Sequence, residues 1–494
     1  MQAVLFLAAI GVPWFYLATG LSSGDVSNEM RKPAPRPTIK AELSSVVAFP
    51  RRFARWYGNH FAFRRALVRQ HNVLKWSRLQ TAPTDKIVCG RDNWVFYADS
   101  QTLTQVRGAM PFTEEEIDLW VDMLVERRAW LADRGCRYLL AVAPSKARIY
   151  PEYLPAGYEP VGPSRQDQLL AALEERTDIR FIDLGPALID ERSNDRGGDL
   201  TFYKYGTHWT ERGALRGWRE IVALLPEVFS EMPPAVGALE RTLIEGSQGD
   251  TWSARLYLED HLVQEDWSLA LPVEPQSTPL PTSRFGKLFV GSDDQPRVML
   301  FHDSFGTALR PLLARSCRSL MCFWRNGWEL ALIENEQPDL VIDLFIERKF
   351  VTFEPGGIPL PTQRWLRAGF EECTTTIWSM NADDLGQALG VKQAERPTDP
   401  YRMARMPKLS GPMGESCWIA IDVESDTGGI LELLQHAPGQ AADPAKQRFD
   451  AARAFVEPGR QTLFFTQTMG AGSRELWLAS PEGGWTIHSA EARH

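Results

Sequence analysis

The chain has 494 residues, room for two to four domains at ~100–200 residues each. Its composition, 44% hydrophobic and 24% charged, is that of a globular protein with a sizeable core. A net charge of −9 argues against a nucleic-acid binder, which would carry a basic patch or stripe.

From Met1 to Gly24 there is no charged side chain, and the apolar part, Ala3 to Leu21, is long enough to cross a bilayer as a helix. No small-x-small cleavage pattern follows, so residues 1–24 are expected to be a membrane anchor or uncleaved signal. The basic residues Arg31, Lys32, Arg36 and Lys40 follow this span and none precedes it, which taken alone favours a cytoplasmic body. Long domains translocate regardless of charge, and a periplasmic body is the expectation here.

Residues 25–80 read as a stiff linker, "RKPAPRPT", followed by one or two amphipathic helices. "DKIVCGRDNWVFYADS" predicts a hairpin with "GRDN" as its turn. A helix is predicted over 113–133, opened by a capping box of Thr113 and Glu116 and stopped by Gly135. "CRYLLAVAPSK" follows as an apolar strand running into a polar loop. The rhythm then repeats: helix "SRQDQLLAALEER", strand "IRFIDLG", helix "TERGALRGWREIVALL", strand "RVMLFHDS", helix "FGTALRPLLARS", strand "SLMCFW", helix "GWELALIENEQ", strand "DLVIDLFIER". Such alternation predicts an α/β domain over 81–392, with a parallel sheet covered on both faces. Residues 240–296, rich in Pro and Ser, interrupt it as an insertion near the site. "QAERPTDPYRMARMPKLSGPMG" has linker composition, and the short strand-like runs beyond it predict a small β-sandwich over 412–494.

Six scattered cysteines, Cys89, Cys136, Cys317, Cys322, Cys373 and Cys417, form no CxxC or Cys/His cluster. They read as free, buried thiols, with a disulfide open in an oxidising compartment but not pairable from sequence, and no metal site is expected. Ser304, in "FHDSFGTALR", stands between a strand and a helix start, where backbone N–H groups converge. Serine is also a good helix N-cap, so both readings are open there. A nucleophilic serine needs a base, and histidine is the usual one. Of the eight histidines, His208 stands in a polar, aromatic loop, "YKYGTHWTERGA", that enters a helix with Thr210 as its N-cap. His302 lies within a strand run and is expected to be buried. Strand-to-helix loops of a parallel sheet gather at one edge, so Ser304 and His208 are expected to meet there.

"VMLFHDSFGTAL" resembles the GDSF-type nucleophile block of SGNH-like acyltransferases. "FYKYGTHWTERGALRGW" resembles the D-x-H-W block of the alginate O-acetyltransferase family, the AlgX/AlgJ type, and "KIVCGRDNWVFY" resembles that family's entry motif. The likeness covers roughly residues 45–375 with the blocks in the family's order. It implies an SGNH-like fold and a periplasmic enzyme anchored to the inner membrane. That enzyme would move acetyl groups to hydroxyls of a secreted polysaccharide, supplied by a membrane-bound O-acyltransferase, with no cofactor. It further implies Ser304 as nucleophile and acetyl carrier, His208 as general base and then acid, and an oxyanion hole that includes the Ser304 N–H. Arg325, Asn326 and Lys146 are candidate helpers for the oxyanion or substrate, and Tyr205 and Trp209 either shape the pocket or pack beside it.

The sequence departs from the family where the triad aspartate belongs, two residues before the histidine: the residue is Gly206. Asp199 or Glu347 is the candidate replacement, a backbone carbonyl could orient His208 instead, or the site is degenerate. The C-terminal unit loosely resembles a carbohydrate-binding module, with Trp418, Trp477 and Trp485 as a candidate stacking platform, although in a small sandwich such tryptophans are more often core. Two rival functions remain at this stage: a carbohydrate esterase with the same Ser–His pair, and a non-catalytic polysaccharide-binding or assembly scaffold.

Overall fold

The computed structural model describes residues 33–39, 42–61, 63–271, 275–280, 286–324, 328, 330–351, 363–381, 394–395, 400–409, 416–426, 429–436, 452–468, 474–480 and 485–494, with single residues 11, 15 and 19 before them. The expected membrane segment, residues 1–24, falls almost wholly outside the described residues. Among the described residues no helix is long and apolar enough to cross a membrane.

Two helices, Leu43–His60 and Arg64–Ser77, precede a short hairpin of β1 (Ile87–Cys89) and β2 (Val95–Tyr97). Asp92 and Asn93 turn that hairpin with positive φ of 51° and 60°, as short polar residues can. The helix Glu114–Ala132 carries the full Thr113/Glu116 capping box, and Gly135 leaves it at φ 70°.

The central sheet is built from β3 (Arg137–Ala143), β4 (Phe181–Asp183), β7 (Ser277–Pro279), β8 (Lys287–Val290), β9 (Arg297–His302), β10 (Ser319–Trp324) and β11 (Leu340–Ile346), in the order β4-β3-β11-β9-β10-β8-β7. A separate ribbon joins β5 (Arg241–Leu243) to β6 (Trp267–Leu269). Five strands of the sheet run parallel, but β8 and β7 are antiparallel additions. The expected all-parallel sheet is therefore corrected to a mixed one. The extra strands come from the interruption at 240–296, and Pro279 is tolerated because β7 is the edge.

Strand alternation sorts the central side chains onto two faces. Leu139, Ala141 and Ala143 of β3 and Val298 and Leu300 of β9 join one core, with Leu215, Trp218 and Ile221 of the helix Glu211–Leu224. Tyr138, Leu140 and Val142, with Met299 and Phe301, join the other, under Trp120 and Leu124 of the helix Glu114–Ala132. Burial on both faces is why these strands read as unbroken apolar runs.

Beyond the helix Gln363–Glu372 lie two antiparallel sheets around one apolar core. The first is β12 (Thr376–Asn381), β20 (Trp485–Arg493), β15 (Ser416–Ser425) and β18 (Gly459–Thr468). The second is β13 (Ala394–Glu395), β14 (Pro400–Leu409), β19 (Arg474–Ser480), β16 (Gly429–His436) and β17 (Ala452–Val456). β12, before the stretch read as linker, and β14, within it, pair with strands of these sheets. Pro407 hides β14 in the sequence and coincides with a register shift between Met406 and Leu409.

Asp303 ties the end of β9 to the end of β11: one carboxylate oxygen accepts the N–H of Phe305 and the other that of Ile346, both at 2.9 Å. Asp303→Ala would leave both buried N–H groups without an acceptor. Urea unfolding is expected to show a loss of about 3 kcal/mol; a loss below about 1 kcal/mol would mean that water replaces the carboxylate.

Candidate active site

The histidine sits on a small hairpin rather than on a strand-to-helix loop, a correction to the expected class of loop. Phe202 and Trp209 pair as an antiparallel bridge, and the Tyr203 N–H donates to the His208 carbonyl. Thr210 then caps the helix Glu211–Leu224 as expected, its hydroxyl accepting from the Gly213 N–H. The buried Lys146 ammonium supports the hairpin tip, donating to the carbonyls of Tyr203 (2.9 Å), Lys204 (3.0 Å) and Gly206 (2.6 Å). Three N–H groups meet three acceptors. Burial pushes the Lys146 pKa down to about 7, with the Asp250 carboxylate acting against that.

His208 has an acid partner, and it is neither of the two expected. Nδ1 lies 2.8 Å from Oδ2 of Asp250. A carboxylate only accepts, so Nδ1 carries a proton in this contact. Nε2 is buried and has no hydrogen-bond partner among the described residues. The same Oδ2 accepts the N–H of Thr207 at 2.6 Å and of His208 at 3.1 Å. Burial alone would raise the Asp250 pKa. The hydrogen bond and charge of His208 and these two N–H groups outweigh burial and hold the carboxyl well below its usual range.

Asp199 is engaged elsewhere, on Arg241 at 2.9 Å and near Arg212. Glu347 is fully buried and accepts from Arg148 and from the Ser145 N–H at 2.9 Å, so it braces the Lys146 turn and does not reach His208 as an orienting acid. Both fail for one reason: a neighbouring arginine has already claimed the carboxylate. Asp250 comes from the interruption after residue 240, and its pairing leaves no periodic signal in the sequence.

Ser304 follows β9 in the tight turn before the helix Gly306–Leu313. That helix has Phe305 at its N-cap and no side-chain cap, so Ser304 does not serve as one. Trp209 joins the two halves of the site: its indole N–H donates to the Phe305 carbonyl at 3.2 Å and its ring meets the Phe305 ring edge-on at 5.2 Å. Ser304, His208, Asp250, Tyr203, Arg315 and Trp324 line one cavity of about 530 Å³. Trp324 is 42% exposed and was missed in the sequence. Tyr205 packs away from this cavity against Trp76 and Trp252. His302 is fully buried, with burial pushing its pKa down to about 4.

Arg325 and Asn326 lie outside the described residues. Trp418 and Trp485 belong to strands of one C-terminal sheet and Trp477 to a strand of the other. Trp418 lies against Gly369 of the helix Gln363–Glu372, and Trp485 packs on the core. All six cysteines are free, four of them buried.

The sheet brings the serine turn and the histidine hairpin to one cavity, and the chain is similar in sequence to known proteins. Residues 87–328 match the family model of an SGNH hydrolase-like domain, acetyltransferase AlgX. The probable alginate O-acetylase AlgJ of Pseudomonas aeruginosa is 27% identical over 225 residues, 44% of this chain and 55% of that protein, so the chain spans about half the length of this curated relative. The solved AlgX of Pseudomonas aeruginosa superposes with a TM-score of 0.38 at 13% identity, over 85% of this chain and 95% of that one. The O-acetyltransferase domain of Pseudomonas putida AlgJ gives 0.37 at 19% identity, over 55% of this chain and 96% of that one.

Lys146→Met would strip three carbonyls of their donor, and urea unfolding is expected to show a loss of about 3 kcal/mol or more. Unchanged stability would show that the hairpin holds itself. Asp250 has a lowered native pKa, so its contribution is complete above the ordinary carboxyl value of 3.8 and is lost as pH falls below it. The stability gap between wild type and Asp250→Asn is expected to be full at about pH 5 and to narrow progressively as pH falls to about 2. A gap that persists in acid would assign the effect to packing instead.

Proposed function

We propose that the protein is an O-acetyltransferase that moves acetyl groups to hydroxyls of a secreted polysaccharide through an acetyl-serine. One observation carries this reading: a histidine with its Nδ1 proton held by a carboxylate, and its Nε2 unpartnered among the described residues, shares a cavity with Ser304. In the first half, His208 Nε2 takes the Ser304 proton as Oγ attacks the carbonyl carbon of an acetyl ester or thioester. The bond to the leaving group breaks, and His208 returns the proton to it. In the second half, a sugar hydroxyl gives its proton to His208 and attacks the acetyl-serine, and Ser304 recovers that proton as the product ester leaves. Backbone N–H groups at the Ser304 turn stabilise the oxyanion in both halves. The exposed face of Trp324 at the cavity offers an apolar surface on which a sugar ring stacks.

The periplasmic setting, the inner-membrane attachment through residues 1–24 and the membrane-bound O-acyltransferase as acetyl source rest on the family resemblance. Hydrolysis differs from transfer only in whether water or a sugar hydroxyl reaches the acetyl-serine.

The test is intact-mass analysis of the purified protein after incubation with an activated acetyl ester, with ester turnover followed in the same sample. Wild type is expected to gain one acetyl group, Ser304→Ala none, and His208→Ala to turn over ~10²–10⁴-fold more slowly. Acetylated oligosaccharide in the presence of a sugar acceptor would separate transfer from hydrolysis. Neither adduct nor turnover in wild type would overturn the reading.

A further inference from the structure

Gly206 stands two residues before His208, and its surroundings explain why no side chain is there. A Cβ at this position would lie 2.5 Å from Oδ2 of Asp250, 2.7 Å from its Cγ and 2.2 Å from its carbonyl oxygen. The Asp250 carboxyl therefore fills the volume that a residue-206 side chain would occupy, and the oxygen in that volume is the one that accepts from His208 Nδ1. The approach is close along the whole segment. Gly249, at φ 58°, passes flat against the Tyr203 ring, where a Cβ would come within 2.2 Å of Cε1.

We propose that in this chain the acid that orients the histidine has changed its place in the sequence: Asp250 is the positioning residue for His208, and residue 206 is glycine in order to admit it. The proposal rests on the reading of His208 as the acid–base group. Its support is a brace that makes a carboxylate delivered from a distant connection as fixed as one two residues away. The Gln264 amide donates to the carbonyls of Asp250 (2.6 Å) and Gln248 (2.8 Å), and its oxygen accepts the Tyr205 N–H at 2.8 Å. The Trp252 N–H donates to the Tyr205 carbonyl. Asp266 accepts from the Tyr203 hydroxyl and from Ser247, both at 2.7 Å. Both ends of the segment that carries Asp250 are thus fastened to the hairpin that carries His208.

One other group reaches the same nitrogen. The Thr207 hydroxyl lies 3.2 Å from Nδ1, further than Asp250 and itself 3.3 Å from the Asp250 oxygen. The carboxylate is the stronger acceptor and the nearer one.

The experiment compares wild type, Asp250→Asn, Gly206→Ala and Thr207→Val in two readouts: steady-state kinetics with an acetyl ester, and the proton NMR resonance of the His208 Nδ1–H in protein labelled with ¹⁵N-histidine. Thermal melts establish that each variant is folded. Asp250→Asn is expected to lower kcat by ~10³–10⁴-fold, the scale of the same change in a protease triad, with KM within about threefold, and to abolish or strongly shift the resonance. Gly206→Ala changes no ionisable group, yet it is expected to displace the carboxylate and reproduce both effects. Thr207→Val is expected to keep the resonance. An Asp250→Asn protein with wild-type kcat and an unmoved resonance would overturn the proposal, as would loss of the resonance in Thr207→Val alone. The resonance needs no turnover, so a wild type without activity would sink the functional reading while this measurement still decided whether Asp250 holds His208. If Gly206→Ala fails to fold, the Asp250→Asn and Thr207→Val pair decides by itself.

Discussion

Two consecutive residues at the end of the central strand hold both halves of the site. The Ile346 N–H donates to Asp303, the residue before Ser304, and the Glu347 carboxylate takes the Ser145 N–H and the Arg148 guanidinium. Lys146 follows Ser145 directly and carries the histidine hairpin on its ammonium. Serine and histidine blocks far apart in the chain are therefore referred to one rigid element, β11, whose side chains are buried throughout. Trp209 closes the circuit by donating to Phe305 across the gap. Every joint is a hydrogen bond to a backbone group or a buried carboxylate, which water competes for poorly.

Much of this frame was legible in the sequence because its signals are local. A capping box needs only residues three apart, and Thr113 with Glu116 forms one as read. Apolar strand runs alternate with amphipathic helices, and the strands and helices fall where the pattern puts them. Ser304 and His208 were singled out by residue type and junction, and they do line one cavity. The parts that were not legible depend on tertiary path. Glu347 looks like a catalytic acid at a strand end, but the decisive fact is the nearness of Arg148, which no spacing encodes. Asp250 sits in "QGDTWS", a stretch without periodicity, and its role follows from how that connection folds back on the hairpin. Strand β14 was hidden by its prolines, and the antiparallel edge by the Pro- and Ser-rich composition of the segment that supplies it.

The acid partner shows how loosely a catalytic arrangement is tied to a sequence motif. What the imidazole needs is an acceptor at hydrogen-bond distance from Nδ1, fixed in direction. Position 206 offers the shortest route along the chain. A connection arriving from elsewhere meets the same need if it is anchored at both ends and if the shorter route is vacated. The Asp250 carboxylate in turn works against the burial that lowers the pKa of Lys146 beneath the hairpin.

The pairing of β12 with β20 has a consequence for how the chain is made. Residues 376–381 wait for residues 485–493, and Thr375 and His494 exchange backbone hydrogen bonds beyond them. The first strand of the C-terminal unit cannot be covered until its last has left the ribosome. The central sheet is complete at Ile346, well over a hundred residues earlier. During synthesis the α/β domain can therefore close while an unpaired strand edge trails behind it.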